Sequence, residues 1–222
     1  MEINLQPYES LIIKKLQKTQ KKVFYNGWTI NKSLEGGYNS FNVFNLNIIG
    51  QRNNRERVEK ISKYVSFENK KIIDFGCNTG GLTFHLEKPN FVLGVDFDNK
   101  SIKACKYIHK LLVKHEPSLK DRYKFLCKDL NKDELEFVDS YISGTADIIF
   151  LMSLGSWIKN WQNLYEFSIK KGKNIILEIN NAEEGKEQLD FFYRNKKNVT
   201  EIINSSDDDI TGNDRRSTYL IN

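Results

Sequence analysis

The stretch 71–86, Lys-Ile-Ile-Asp-Phe-Gly-Cys-Asn-Thr-Gly-Gly-Leu-Thr-Phe-His-Leu, constrains the fold more than any other part of the chain. Its opening residues, Ile72, Ile73 and Phe75, form the short apolar run of a strand covered on both faces. Three glycines follow within six residues, at Gly76, Gly80 and Gly81, and a helical pattern begins behind them. Glycine takes a positive φ without a Cβ clash and lets another molecule approach the main chain closely. A helix opening near Gly81 turns its unbonded N–H groups and the positive end of its dipole towards whatever the turn holds. The predicted unit is strand, turn and helix, with a polar or anionic ligand at the turn.

A second apolar run, Phe91-Val-Leu-Gly-Val-Asp96, ends in an acid twenty residues past Gly76, where a nucleotide-binding α/β unit sets its ribose ligand. Together the two segments predict a nucleoside cofactor. A dinucleotide fingerprint would read G-x-G-x-x-G with its third glycine inside the helix. Here the run is Gly76-Cys77-Asn78-Thr79-Gly80-Gly81, preceded by Asp74 at the strand end. It resembles the first motif of class I S-adenosylmethionine (SAM) methyltransferases. Asn78 stands where that family more commonly has glycine, and Asn is the next residue to tolerate left-handed backbone. Without the resemblance, the turn also fits an ordinary strand-to-helix connection that holds no ligand.

The resemblance implies that Asp74, Gly76, Cys77, Asn78 and Gly80 line the methionine half of SAM. It implies that Asp96 accepts hydrogen bonds from the two ribose hydroxyls and that Phe97 packs on the adenine. The segment 123–130 then becomes a third strand running into an acid, Asp129, that receives the adenine amino group, beside Leu130. Taken alone, Asp129 equally fits a solvated acid or a helix cap before Asn131.

The run 146–153, Ala-Asp-Ile-Ile-Phe-Leu-Met-Ser, is nearly unbroken and predicts another strand covered on both faces. Open α/β sheets bind ligands outside the carboxyl ends of their strands, which puts Ser153 beside the transferable methyl. Residues 174–179 supply a fifth strand. Residues 199–203 and 217–221, separated by an acidic loop, match the antiparallel hairpin that closes a methyltransferase sheet. The predicted fold class is α/β: a Rossmann-like, mostly parallel sheet with an antiparallel last strand. Residues 1–60 are expected to form a helical and hairpin cap over the cofactor site, and residues 61–222 the SAM-binding domain.

With 222 residues, 39% hydrophobic and 28% charged, the chain can bury one sizeable core. Only 3 prolines and no repeated or Ser/Gly-rich segment argue against linkers or a solenoid. Cys77, Cys105 and Cys127 lie far apart without companion histidines, so neither a metal site nor a disulfide framework is expected. No signal-peptide pattern or membrane-length apolar run is present, and the expected location is the cytoplasm. A net charge of +5 is modest for a nucleic-acid enzyme. The densest basic run, Lys14 to Lys22, lies on an expected amphipathic helix with Leu11, Ile12 and Leu16. Such runs are usually solvated helix faces, and no interleaved aromatics accompany this one.

Ahead of the first strand, Gly36-Gly37-Tyr38-Asn39-Ser40-Phe41 leads through an alternating, hairpin-like stretch at 43–49 into Gly50-Gln51-Arg52, and a helix is expected over 56–64. This arrangement resembles the amino-terminal extension of two methyltransferase groups. One comprises bacterial enzymes associated with capsular or surface polysaccharide, including phosphoramidate modification. The other is the wobble-uridine tRNA carboxymethyl transferase type, whose cofactor motif also carries Cys-Asn after the first glycine. The resemblance implies that the Gln51-Arg52 corner folds over SAM, with Arg52 clamping the methionine carboxylate or an anionic acceptor. Arg55 and Arg57 follow it as candidates. Tyr38 becomes part of a lid. The related pattern has His where this chain has Asn39, which removes a general base from that position.

Transfer from a sulfonium is an in-line displacement of an already activated group, so positioning can supply much of the catalysis. An alcohol acceptor would want a base and a phosphate oxygen would not. Glu178, at the end of the fifth strand, is the candidate base, with a structural strand-end carboxylate as its alternative. His85, His109 and His115 fall on helices and are expected to be structural or solvated. Trp157 and Trp161 fit either an acceptor pocket or the core, and Arg215 and Arg216 either an acceptor contact or local ion pairs. The expected activity is methyl transfer to a small polar acceptor, phosphorylated, phosphoramidate or sugar-linked, in bacterial surface-polysaccharide biosynthesis. Two alternatives stay open: an RNA methyl- or carboxymethyl transferase, and a non-catalytic SAM-binding partner subunit. The sequence leaves the oligomeric state undetermined.

Overall fold

A computed structural model of the chain describes residues 3–19, 34–180, 182–205, 209 and 216–222. Its centre is a seven-stranded sheet. In chain order the strands are β1 (Lys71–Phe75), β2 (Phe91–Asp96), β3 (Tyr123–Cys127), β4 (Ala146–Met152), β5 (Gly172–Glu178), β6 (Val199–Ile203) and β7 (Thr218–Ile221). Their spatial order is β3-β2-β1-β4-β5-β7-β6. The first five run parallel, and β7 lies antiparallel between β5 and β6. The order reverses between β1 and β4, so the crevice at their carboxyl ends is the switch point at which such sheets take ligands.

The helices are α1 (Glu9–Gln17), α2 (Asn54–Ser62), α3 (Gly81–His85), α4 (Asn99–His115), α5 (Trp161–Lys171) and α6 (Ala182–Arg194). They cover both faces of the sheet, which is why the central strands carry almost no polar side chains. Ile148, Ile149, Phe150 and Leu151 of β4 are all fully buried and alternate between two apolar clusters. Below the sheet, Ile72, Val92 and Ile148 meet Ile102, Ile108 and Leu112 of α4. Each such aliphatic side chain contributes about 1.5–3 kcal/mol on full burial. On the other face, Tyr165 of α5 stacks on Phe192 of α6 at 5.1 Å, with Trp161 edge-on at 4.9 Å. Trp161 therefore belongs to the core, while Trp157 is 52% exposed.

Helix α4 starts where Asp98 accepts the Lys100 and Ser101 amides, a side-chain cap that satisfies two otherwise unbonded donors. In α1, Ile12 and Leu16 are buried in the same cluster as α4 and β1, while Lys14, Lys15 and Lys18 are exposed; Lys21 and Lys22 lie outside the described residues. Among the described residues ahead of β1, the buried apolar side chains of Leu5, Ile12, Leu16, Phe41, Ile48 and Val58 are thus continuous with the sheet core.

Three local expectations shift. The segment 43–49 forms one bridge, Phe41 to Ile48, around a tight turn in which Phe44 and Asn45 both take φ 57°, rather than a hairpin ladder. The helix expected over 56–64 starts two residues earlier, capped by the Asn53 side chain. The third strand ends at Cys127 because Asp129 closes a turn: its carbonyl accepts the amides of Lys132 and Asp133. Among the described residues no helix is long and apolar enough to cross a membrane.

Candidate active site

After β1 the chain reverses through Gly76 (φ 74°), Asn78 (φ 49°) and Gly80 (φ 78°), all left-handed. The two glycines reach that region without steric cost. Asn78 is held there by its side chain, whose Oδ1 accepts the Thr79 amide at 2.7 Å and the Asn39 side-chain amide at 3.1 Å. The Asn78 amide donates to Asp96 Oδ2 at 2.9 Å, and the Asp98 amide to Asp96 Oδ1 at 2.8 Å. Main chain therefore orients both oxygens of the carboxylate that ends β2. Phe97, the next residue, is 66% exposed, an unusual setting for a large apolar ring.

Other residues expected at the turn lie differently. Asp74 is buried, and its Oδ2 accepts from Thr83 Oγ1 at 2.5 Å, so it ties the end of β1 to α3 instead of facing a ligand. Burial pushes its carboxyl up to about 7, against the Thr83 hydroxyl bond and with the Asp96 charge. The Cys77 side chain is also buried, near Cys105, and burial pushes its thiol up. Gly81 does not leave room for a ligand: a Cβ there would stand 2.4 Å from Asn54 Nδ2 and 2.6 Å from Asn39 Cβ, so the space belongs to the cap. Asp129 accepts the Asn131 amide at 3.1 Å and pairs with Lys132 at 2.9 Å. Each oxygen thus has a partner within its own turn, and the side chain stays 33% exposed. Leu130 is half-buried against the core cluster of β2 and β4.

A second group gathers at the carboxyl ends of β4 and β5. Glu178 accepts from Arg57 at 2.5 Å and from Ser153 Oγ at 2.5 Å, and lies 3.6 Å from Arg52 and 3.4 Å from Arg216. Burial alone would raise its pKa, but Arg57, Arg52 and Arg216, with the Ser153 hydroxyl, hold it down to about 2. A carboxylate so stabilised is a poor proton acceptor, which corrects the expectation of a general base at this position. Arg52, fully buried, also pairs with Asp209 at 3.8 Å, and Gln51 donates to Asp209 at 2.9 Å. Arg52 and Gln51 thus hold the cap to the carboxyl-terminal part of the sheet rather than standing open over the turn. Tyr38, half-buried, has its hydroxyl 3.4 Å from Arg216; Arg215 lies outside the described residues.

His85 and His109 are structural, and His115 is exposed at the end of α4, edge-on to Tyr8 at 5.8 Å. His85 Nδ1 meets the Gly81 carbonyl at 2.6 Å and its Nε2 accepts the Asn42 amide at 3.2 Å, a pairing only the neutral ring can make. Burial lowers its pKa accordingly. His109 meets the Leu119 carbonyl at 3.0 Å.

The structure thus brings Asn78 and Asp96 together at the turn, and Tyr38, Arg52, Ser153 and Glu178 together at the strand ends. Sequence reasoning missed Asn39, Asn54, Thr83 and Asp209. Asn39 alone carried a signal, since it sits among glycines in a segment expected to cover the turn.

No family model matches the chain. A curated relative, indole-3-glycerol phosphate synthase of Oceanobacillus iheyensis, is 38% identical over 64 residues; these are 29% of this chain, which spans 24% of that protein's length. Solved structures match over a larger share. Magnesium protoporphyrin IX methyltransferase from Synechocystis PCC 6803 with bound SAM has a TM-score of 0.56 at 12% identity, over 75% of this chain and 78% of its own. M. capricolum TrmK in complex with S-adenosylhomocysteine gives 0.54 at 18%, over 75% and 67%. A SAM-dependent methyltransferase from Aquifex aeolicus gives 0.53 at 14%, over 77% and 90%. At such identities these likenesses concern architecture, and the chain has the fold of the class I SAM-dependent methyltransferases.

Proposed function

We propose that the protein is a SAM-dependent methyltransferase. The observation that carries this reading is the Asp96 carboxylate at the end of β2, oriented by the Asn78 and Asp98 amides beside a left-handed turn. A carboxylate held in this way is a preorganised acceptor for a vicinal diol such as a ribose. The exposed Phe97 ring next to it offers a face for a purine. Bound SAM would supply a methyl group already activated on sulfur.

The acceptor we infer is a small polar molecule carrying a phosphate, phosphoramidate or comparable anionic group, a precursor of bacterial surface polysaccharide made in the cytoplasm. Two things support it: the resemblance of the cap to such enzymes, and Arg216, which keeps 14% of its side chain exposed at the ends of β4 and β5 while Arg52 and Arg57 neutralise Glu178 from within. An anionic oxygen needs no proton removed, which agrees with a Glu178 that is committed to arginines. The chain's part is then to orient the acceptor, with the half-buried Tyr38 and Arg216 more exposed than Arg52, Arg57 or Ser153.

Calorimetric titration with SAM and S-adenosylhomocysteine tests the cofactor, with NAD as control. Micromolar binding that is lost in Asp96→Ala is the expected result, and no binding of either sulfur nucleoside would end the proposal. Acceptors are then screened by mass shift. Methylation of bulk RNA with small phosphorylated metabolites ignored would replace the acceptor class.

A further inference from the structure

Asn78 occupies a left-handed position that a glycine would fill at no cost, and it belongs to the turn that anchors Asp96. Two contacts on its side-chain oxygen keep it there, the adjacent Thr79 amide at 2.7 Å and a second that comes from outside the sheet. Asn39, in the cap and 4% exposed, donates its side-chain amide both to Asn78 Oδ1 at 3.1 Å and to Thr79 Oγ1 at 2.9 Å. Its own Oδ1 accepts from Asn54 Nδ2 at 3.0 Å, and Asn54 in turn accepts from Arg57 at 3.5 Å. The main chain of Asn39 is fixed just as firmly. A Cβ on Gly36 or Gly50 would fall 2.3 Å from the Asn39 carbonyl oxygen, and the backbone of Asn39 bridges to Arg52. Gly81 leaves the space in which the Asn39 and Asn54 side chains sit. A buried amide with both ends bonded and its backbone clamped is a rigid strut, not an adaptable surface group.

We propose that Asn39 is a positioning residue for the cofactor. It acts through Asn78, holding that residue in the conformation whose amide orients Asp96, so the cap sets nucleoside affinity without touching the nucleoside. The line of contacts runs from Asn39 Nδ2 to Asn78 Oδ1 and from the Asn78 amide to Asp96 Oδ2. It also explains how this chain uses an asparagine where glycine serves elsewhere: the side chain at 78 is the handle by which the cap grips the turn. The inference rests on the proposed SAM site and extends it to a residue outside the sheet.

The test is a double-mutant cycle on nucleoside binding by the full chain, read with SAM and with adenosine alone. Adenosine carries the ribose that faces Asp96 and lacks the methionine half. Asn39→Ala is expected to weaken both ligands by the same factor, about tenfold, the size of one lost hydrogen-bonded constraint. Asn78→Gly removes the handle and should weaken both similarly. In the Asn78→Gly background the further effect of Asn39→Ala should shrink to less than about twofold, because the two act as one unit. A general loss of fold would lower the melting temperature without producing this coupling. Three results would overturn the idea: unchanged adenosine affinity in Asn39→Ala, a loss confined to SAM, or full additivity of the two substitutions. If Asn39→Ala does not fold, Asn78→Gly alone decides, and unchanged adenosine affinity there rejects the proposal. Failure of the wild-type chain to bind SAM would instead reject the cofactor assignment itself.

Discussion

Over the glycine turn the cap is held by side-chain amides, Asn39, braced by Asn54, against Asn78 and Thr79, whereas over the ends of β4 and β5 it is held by ions, Arg52 and Arg57 against Glu178 and Asp209. Neutral amides cost less to desolvate than ions and, with both ends bonded, are strongly directional, so they fix geometry at a smaller cost. Buried ions give less net stability for their number, because each guanidinium and carboxylate must leave water, but they penalise any change that leaves a charge uncompensated. The difference assigns separate duties. The amide side governs where the turn sits, and the ionic side governs whether the cap and the last strands stay attached to the sheet.

The largest expected effect therefore lies on the ionic side. Glu178→Ala leaves Arg52, Arg57 and Arg216 facing one another and should cost about 3–5 kcal/mol in urea unfolding. Glu178→Gln keeps an acceptor for Arg57 and Ser153 and should cost less. If the alanine variant were as stable as wild type, the ionic contact would be incidental and the comparison would fail. On the amide side Gly81→Ala comes next. Its methyl would enter the space of Asn54 and Asn39, and overpacking of this kind costs about 1–3 kcal/mol. This variant should also weaken SAM binding, while Glu178→Gln should leave SAM binding nearly intact. Opposite rankings in the two assays would sharpen the division of duties, and parallel rankings would erase it.

Much of this arrangement was legible in the sequence. Strands whose side chains are buried on both faces declare themselves by unbroken apolar runs, and 71–75, 91–96 and 146–152 did so. The acid closing β2 was readable because it follows the glycine turn at a set distance. The partners of Asp74, Asp129 and Glu178 were not readable, since a carboxylate's role depends on which donors the fold brings to it. Thr83, nine residues from Asp74, bonds one of its oxygens, and Lys132 and Asn131 bond those of Asp129. Glu178 found Arg52 and Arg57 more than a hundred residues away in the chain, beyond any local pattern. Gly81 was assigned open space because its neighbours in sequence say nothing of the cap that folds back over it.

A third effect comes from pH, and it separates two buried carboxylates by sign. Glu178 has a folded pKa of about 2, below its unfolded value of 4.5, so its contribution is present above the unfolded value and is lost as pH falls from about 4.5 towards 2. Asp74 has a folded pKa of about 7, above its unfolded value of 3.8, so its contribution is complete below 3.8 and disappears as pH rises to 7. Between pH 5 and 8 Glu178 is silent and any slope from this pair belongs to Asp74. Stability measured by urea midpoint should fall across that window in the wild type. Asp74→Asn, which keeps an acceptor for Thr83 and carries no charge, should flatten the fall. Because Asp96 and Thr83 surround Asp74 on the amide side, the same substitution should gain most at pH 8, where the wild-type carboxyl is ionised in a place built for a neutral group. An unchanged slope in Asp74→Asn would mean that the turn carries charge as readily as the strand-end cluster does.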